Sequence, residues 1–404
     1  MTAALDLITW LMTRAIDPTN GAVVRERYKL ADVAWGPDIR PDCNAEAVHA
    51  FLCAYQATGN AAYLTRSRAI WDGFKGLQRT SLYAGSWPYS NLISTNWTNA
   101  DSEVAIFLCR AALLDPVNAA VYVAAARATV GWMLPRQDVT THMWPAASYL
   151  TYQGPMFTAQ AVAALAMVYS TAPSNAATIL TAIETGLTAL TTKIGTDGRI
   201  QAANETAGAG AEESWRPPSS DQAVAIRAYA MAAHYCPTST HVAAWNAARQ
   251  TLLGWMNQLI HSTGAVCNGL GSTALDADVA YITDHVYTTS LAMEGYYYSY
   301  LVDQTSTLMT TVTRIARFAA GNVWYDPTYP DAYGVLRGAY NLRDSNFDTS
   351  IVVQDGGEEG GGNMAYTGWS AAPVAAMMLL ELASALTVKV PRHVVGHRTG
   401  MGVL

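Results

Sequence analysis

Charge is scarce in this chain: 14% of its 404 residues are Asp, Glu, Lys or Arg, against 51% hydrophobic. The net charge is −7 and there is no basic tract, which excludes the phosphate-neutralising grip proteins take on nucleic acid. The same lack argues against an anionic membrane surface. No unbroken apolar run approaches the ~20 residues of a membrane span. The most apolar segment, AAPVAAMMLLELASAL, carries Glu381 in its middle. The opening MTAALDLITWLMTRAID has no basic n-region, and Asp6 interrupts its apolar run, so it does not read as a secretory signal. Cysteine is sparse as well. Cys43, Cys53, Cys109, Cys236 and Cys267 are odd in number, lack CxxC spacing and mostly fall in or beside helical patterns. They read as small buried hydrophobes rather than disulfides or a zinc site. Phenylalanine is rare too, 6 residues against 22 Tyr and 12 Trp, so the aromatic surface comes mainly with a polar handle.

What the chain does have is a repeat of helix pairs. Apolar first helices open near PDCNAEAVHAFLCAYQAT, TNADSEVAIFLCRAALL, GPMFTAQAVAALAMVYS, SSDQAVAIRAYAMAAHY, TDHVYTTSLAMEGYYYSYL and YTGWSAAPVAAMMLLELAS. Each of the first five is followed by a second helix with a charged face, bearing residues such as Arg68, Arg127, Lys193, Arg249 and Arg314. The sixth takes its partner from the N-terminus, LDLITWLMTRAI. The units recur at about 60 residues, the last step being longer. First helices apolar all round are buried on both sides, and half-charged second helices form an outer ring. The predicted fold is therefore all-α, an (α/α)6 toroid spanning 1–386, with residues 387–404 as an extended tail suited to self-assembly. A small β-ribbon is expected within 325–362.

The N-terminal ends of the first helices converge at one mouth. Asp42, Asp101, Asp221 and Asp284 are expected there, either as helix caps, as catalytic or binding carboxylates, or as both. Asp284, His285 and Tyr287 place a carboxylate, an imidazole and a phenol within one turn. They read as an acid–base group or as a satisfied core histidine with packing beside it. Aromatic-rich loops enter from the same side and bring Trp97, Trp144, Tyr152, Trp215 and Trp369 to the helix starts, as a sugar-binding cleft requires. The glycine-rich stretch DGGEEGGGN (355–363) reads in three ways. It is a cleft wall offering Glu358 or Glu359, a solvated linker, or a calcium site without EF-hand spacing. No other cofactor or metal is expected.

This organisation resembles the (α/α)6-toroid carbohydrate enzymes, namely glycoside hydrolases such as the unsaturated glucuronyl hydrolases and the toroid polysaccharide lyases. The resemblance covers about residues 3 to 386. It implies an oligo- or polysaccharide substrate and catalytic Asp, Glu, Tyr or His in the funnel, which by position are Asp101, Asp221, Asp284, His285 and Tyr287. Hydrolysis needs two carboxyl groups across the glycosidic bond. A lyase needs a Tyr or His base and a cation for a uronate, for which the loop residues Arg216, Arg337 and Arg343 are candidates. No pair of adjacent aspartates and no DxDD occurs. The leading expectation is a glycoside hydrolase. The alternatives are a lyase and a non-catalytic glycan-binding or assembly protein.

Overall fold

The computed structural model describes residues 1–30, 32–200, 218–269, 281–343, 345–347 and 364–386. Twelve α-helices lie among them: α1 (Thr2–Thr13), then α2 (Pro41–Thr58) with α3 (Ala61–Phe74) and α4 (Thr98–Leu114) with α5 (Ala119–Met133). The series continues with α6 (Pro155–Tyr169) and α7 (Ala176–Thr191), α8 (Pro218–Tyr235) and α9 (Val242–Met256), α10 (Thr289–Asp303) and α11 (Ser306–Gly321), and ends at α12 (Ala372–Leu386). The even-numbered helices pack side by side in a ring that closes α12 against α2. Each has an odd-numbered helix outside it, and α1 covers α12.

Burial explains the two rings. Every residue of α2 from Pro41 to Ala54 is buried, as is every residue of α6 from Pro155 to Val168. The outer α11 buries only Val312, Ile315, Ala316 and Ala319, the single stripe of an amphipathic helix. Proline at the first position starts α2 and α6, where its missing N–H costs nothing. Gly59, at φ +71°, ends α2 in the left-handed conformation and turns the chain into α3.

The expected aspartate caps are not what starts these helices. Arg40 and Trp97 hold the cap positions of α2 and α4 without a side-chain cap bond. Asp42 is the second residue of its helix and Asp101 the fourth. Helix α10 begins at Thr289, beyond Asp284, and α12 begins at Ala372, beyond Tyr366. Proline fixes the start of α2, and the Thr98 N–H held by the Ala146 carbonyl (2.8 Å) fixes that of α4.

Short strands gather on the face where the inner helices start. Strands β1 (Arg27–Lys29) and β2 (Ala34–Trp35) form a three-stranded antiparallel sheet with β8 (Met364–Tyr366), β1 at its centre. This sheet joins the beginning of the chain to the approach of α12. Strand β3 (Ile282–Asp284) pairs with β6 (Ala339–Asn341), which also pairs with β7 (Asn346–Phe347). Strands β4 (Val323–Trp324) and β5 (Val335–Leu336) make a hairpin. The expected ribbon within 325–362 is thus a set of two- and three-residue pairings, and DGGEEGGGN and the tail 387–404 lie outside the described residues. The five cysteines are buried and separate. Among the described residues, no helix is long and apolar enough to cross a membrane.

Candidate active site

The anticipated aspartates are buried, and they face different ways. Both oxygens of Asp42 meet Arg40, at 3.1 and 2.5 Å, and Oδ2 also accepts the Trp369 indole N–H at 2.9 Å. Arg40 reaches on to Glu26 (2.9 Å) and the Tyr89 hydroxyl (2.7 Å). Asp101 turns outward between the rings and accepts from the Trp87 backbone N–H (2.8 Å) and the Trp132 indole on α5 (3.1 Å). Burial pushes its carboxyl up to about 7. Asp221 is buried in the first turn of α8. Asp284 accepts the Val286 and Tyr287 N–H groups on Oδ1 (2.7 and 3.2 Å), while its buried Oδ2 has no partner. Burial pushes it, too, up to about 7.

The histidine and aromatic candidates separate just as clearly. His285 bonds Thr289 (3.1 Å) and its ring lies 5.8 Å from Phe318 on α11, so it faces the outer ring. Burial holds it neutral, down to about 4. Trp144 is fully buried, with its indole N–H on the Met133 carbonyl (2.9 Å) and its ring against Gly186. That is core, where the loop position suggested a sugar platform: the loop folds back between the two rings. Trp97 and Tyr152 are half-exposed and join a chain of rings, Tyr89–Trp97 (6.0 Å), Trp97–Tyr149 (6.3 Å), Trp97–Phe157 (6.4 Å) and Tyr152–Phe157 (6.3 Å). Trp215, Arg216, Glu358 and Glu359 lie outside the described residues.

Trp369 ties the remaining groups together. It sits at a kink within Thr367–Ala371, where Gly368 is extended and Trp369 has φ +58°, a conformation costly for a bulky residue. Its backbone N–H is held by the Glu46 carboxyl, its indole by Asp42 and its carbonyl by the Ser290 hydroxyl (3.1 Å). The Tyr287 ring lies 5.9 Å away. Gly368 is required beneath it, because a Cβ there would come within 2.5 Å of the Cys43 sulfur. Trp369 therefore bridges α2 and α10 across the seam where the ring closes.

Below it runs a charged column that sequence reasoning missed. Arg227 on α8 is paired with Glu103 on α4 (3.0 Å, with a second, shorter bond) and with Glu294 on α10 (3.0 Å). Arg110 on α4 grips Glu294 with two bonds, 2.6 and 3.0 Å. Although burial opposes it, the two guanidiniums hold Glu294 down at about 2. Glu46 is the carboxyl left over. Burial first, then the neighbouring Glu103 and Asp42, raise it well above the carboxylate range. His49 is held neutral, down to about 3, by burial and by Arg110. Gln160 on α6 is fully buried with neither end of its amide bonded. The signal was positional: Glu46, Glu103, Gln160 and Glu294 are each the sixth residue of an inner helix. A polar residue at one recurring place in helices that are otherwise buried all round marks the axis.

The chemistry available follows. Glu46, its proton affinity raised, holds the Trp369 backbone, and Asp284, pushed up to about 7, holds the backbone of Tyr287, whose ring neighbours Trp369. Glu46 and Glu103 are each only 1% exposed, Glu46 lying against the Trp369 backbone and Glu103 against Arg227.

No family model and no curated protein matches the sequence. Solved structures do match over nearly the full length. The chain superposes on D-mannose isomerase with a TM-score of 0.67 at 12% identity, covering 95% of this chain and 97% of that one. A GH76 α-mannanase of Bacteroides thetaiotaomicron gives 0.68 at 11%, covering 95% and 96%. Cellobiose 2-epimerase of Bacillus thermoamylovorans gives 0.65 at 10%, covering 95% and 99%. The chain is an (α/α)6 toroid. At such identities the likeness is one of fold.

Proposed function

We propose that this toroid is a sugar-processing enzyme that cleaves an oligosaccharide at the mouth of its inner ring by carboxyl acid–base chemistry. The observation that carries the reading is two buried carboxyls raised by burial and linked through Trp369: Glu46 holds the Trp369 backbone N–H, and Asp284 holds the N–H of Tyr287, whose ring lies 5.9 Å from that of Trp369. In this mechanism Glu46 donates its proton to the leaving glycosidic oxygen and Asp284, ionising near neutrality, activates water. Tyr89, Trp97, Tyr149 and Tyr152 stack on sugar faces, and Trp369 moves aside to admit the scissile bond. The neighbouring folds support a carbohydrate substrate, since an isomerase and an epimerase of sugars and a mannanase share the architecture. They do not supply the residues. An α-1,6-mannanase of Salegentibacter is inactive when two adjacent aspartates are replaced, and this chain has no adjacent aspartates.

The test is a panel of oligo- and polysaccharides. Products are read as reducing ends (hydrolysis), unsaturated-product absorbance (elimination) and epimer composition by NMR. Glu46→Gln and Asp284→Asn should each lower kcat by roughly 10²- to 10⁴-fold with the fold retained. Full activity in both variants would remove the mouth from consideration. Retention of a glycan without any turnover would make the protein a binding module.

A further inference from the structure

A cleft lies on the outer flank of the toroid, between α1 and the loop 325–334. Its volume is about 350 Å³, near the lower end of small-molecule sites. Asp6, Trp10, Thr13 and Arg14 line one side, Tyr325 and Tyr333 the other. The loop is held in place before any ligand arrives. Trp10 donates its indole N–H to the Asp331 carbonyl (2.6 Å), Pro330 begins a short 3₁₀ turn, and Gly334 returns the chain to Trp324 at 2.6 Å. The Gly334 φ of +78° is one that a side chain would strain.

The two tyrosines are what a folded core does not explain. Their rings stand 5.4 Å apart at 71°, and they remain 46% and 48% exposed. The Tyr325 hydroxyl donates to Asp6, which fixes that ring. Arg14 and Asp331 meet only loosely at 3.6 Å, both about half exposed, so each has bonding capacity to spare.

We propose that this cleft binds a neutral sugar unit, independently of the mouth. Charges of both signs line it, which disfavours a strongly anionic or cationic ligand. Preset aromatic surface flanked by a carboxylate, a guanidinium and threonine hydroxyls suits a ring with apolar faces and hydroxyls at its edge. The volume accommodates a short glycan segment rather than a protein element. Such a site would hold a polymer on the enzyme while the mouth acts on it. The binding itself does not depend on the mouth being catalytic.

The experiment is affinity electrophoresis of the intact chain through gels carrying neutral polysaccharides (glucans, mannans, xylans), with polygalacturonate as the anionic control. Wild type is compared with Tyr333→Ala, Arg14→Ala and the mouth variant Trp97→Ala, with melting curves confirming that each folds. At least one neutral polysaccharide should retard the wild type. Tyr333→Ala should weaken that retention about tenfold, as expected for a lost aromatic contact, and leave turnover of a short soluble substrate unchanged. Trp97→Ala should keep part of the retention. The proposal is overturned if Tyr333→Ala and Arg14→Ala are retarded like wild type, if no neutral polysaccharide retards the protein, or if only polygalacturonate does. Retention sensitive to Tyr333 in a protein without turnover would sink the mouth reading and leave the cleft standing.

Discussion

Asp101 and Glu46 are both carboxyls buried in the first two turns of inner helices, yet they stand in opposite compartments. Asp101 faces the seam between the rings, where two N–H donors from Trp87 and Trp132 satisfy it. Glu46 faces the axis, where its neighbours are other carboxyls and the backbone of Trp369. In the seam, a buried polar group is matched by fixed donors and serves the architecture. On the axis, three carboxyls share two guanidiniums, and Glu46, the one bonded to neither, has its proton affinity raised. Burial alone therefore does not distinguish a carboxyl matched by donors from one crowded by other carboxyls; the company each keeps does.

That contrast can be broken experimentally, and the axis should yield the largest effect. Arg227→Met removes the cation between Glu103 and Glu294 and should cost about 3–5 kcal/mol of stability, read by urea unfolding. A variant as stable as the wild type would mean the column is not a coupled unit. Tryptophans provide the next comparison. Trp144→Ala empties a closed space between the rings and should cost about 3–5 kcal/mol. Trp97→Ala, half-exposed at the mouth, should leave the melting temperature close to that of wild type and raise KM about tenfold. Equal losses of stability would place both rings in the core.

The smallest effect is a slope. Asp101 and Asp284 ionise near 7 when folded and at 3.8 ordinarily, so the stability they confer is full below 3.8 and lost as pH rises toward 7. His49 and His285, lowered from 6.5 to about 3 and about 4, act in the other sense: their contribution is full above 6.5 and lost as pH falls. Between about 4 and about 6.5 the two pairs oppose one another, and the raised Glu46 tips the balance, so wild-type stability should fall as pH rises. Asp101→Asn removes one falling component, so the variant's stability should fall less steeply with pH across that window. Urea midpoints at three pH values measure it, and parallel profiles would show that Asp101 does not titrate there.

The helix pairs were legible because burial on both faces leaves an unmistakable apolar composition in segments such as GPMFTAQAVAALAMVYS. Facing was harder to read. Each residue along a helix turns the side chain by about 100°, so which way Asp101 points depends on where α4 begins. That start is set by a backbone bond from Thr98 to a distant loop, which no local pattern announces. Trp144 misled for a related reason, since a loop tryptophan looks exposed until the loop is seen folding inward. Glu46, Glu103 and Glu294 are among the few charges inside these apolar helices. Their meaning emerged only when aligned helix starts gave them a common depth. Trp369 was found as a loop aromatic, but its positive φ is a tertiary property and leaves no trace in the residue type.

The seam at Trp369 also bears on how the chain comes to be folded. Five of the six hairpins pair helices that adjoin in sequence, which a growing chain can form one after another at little entropic cost. The sixth cannot form this way. Its fastenings join partners hundreds of residues apart: Trp10 to Asp331 across 321, Trp369 to Asp42 across 327 and Thr367 to Glu26 across 341. The bond from Glu46 to the Trp369 backbone belongs to the same set, spanning 323 residues, so the N–H that tempers the raised proton affinity of Glu46 is a contact that only closure of the ring supplies.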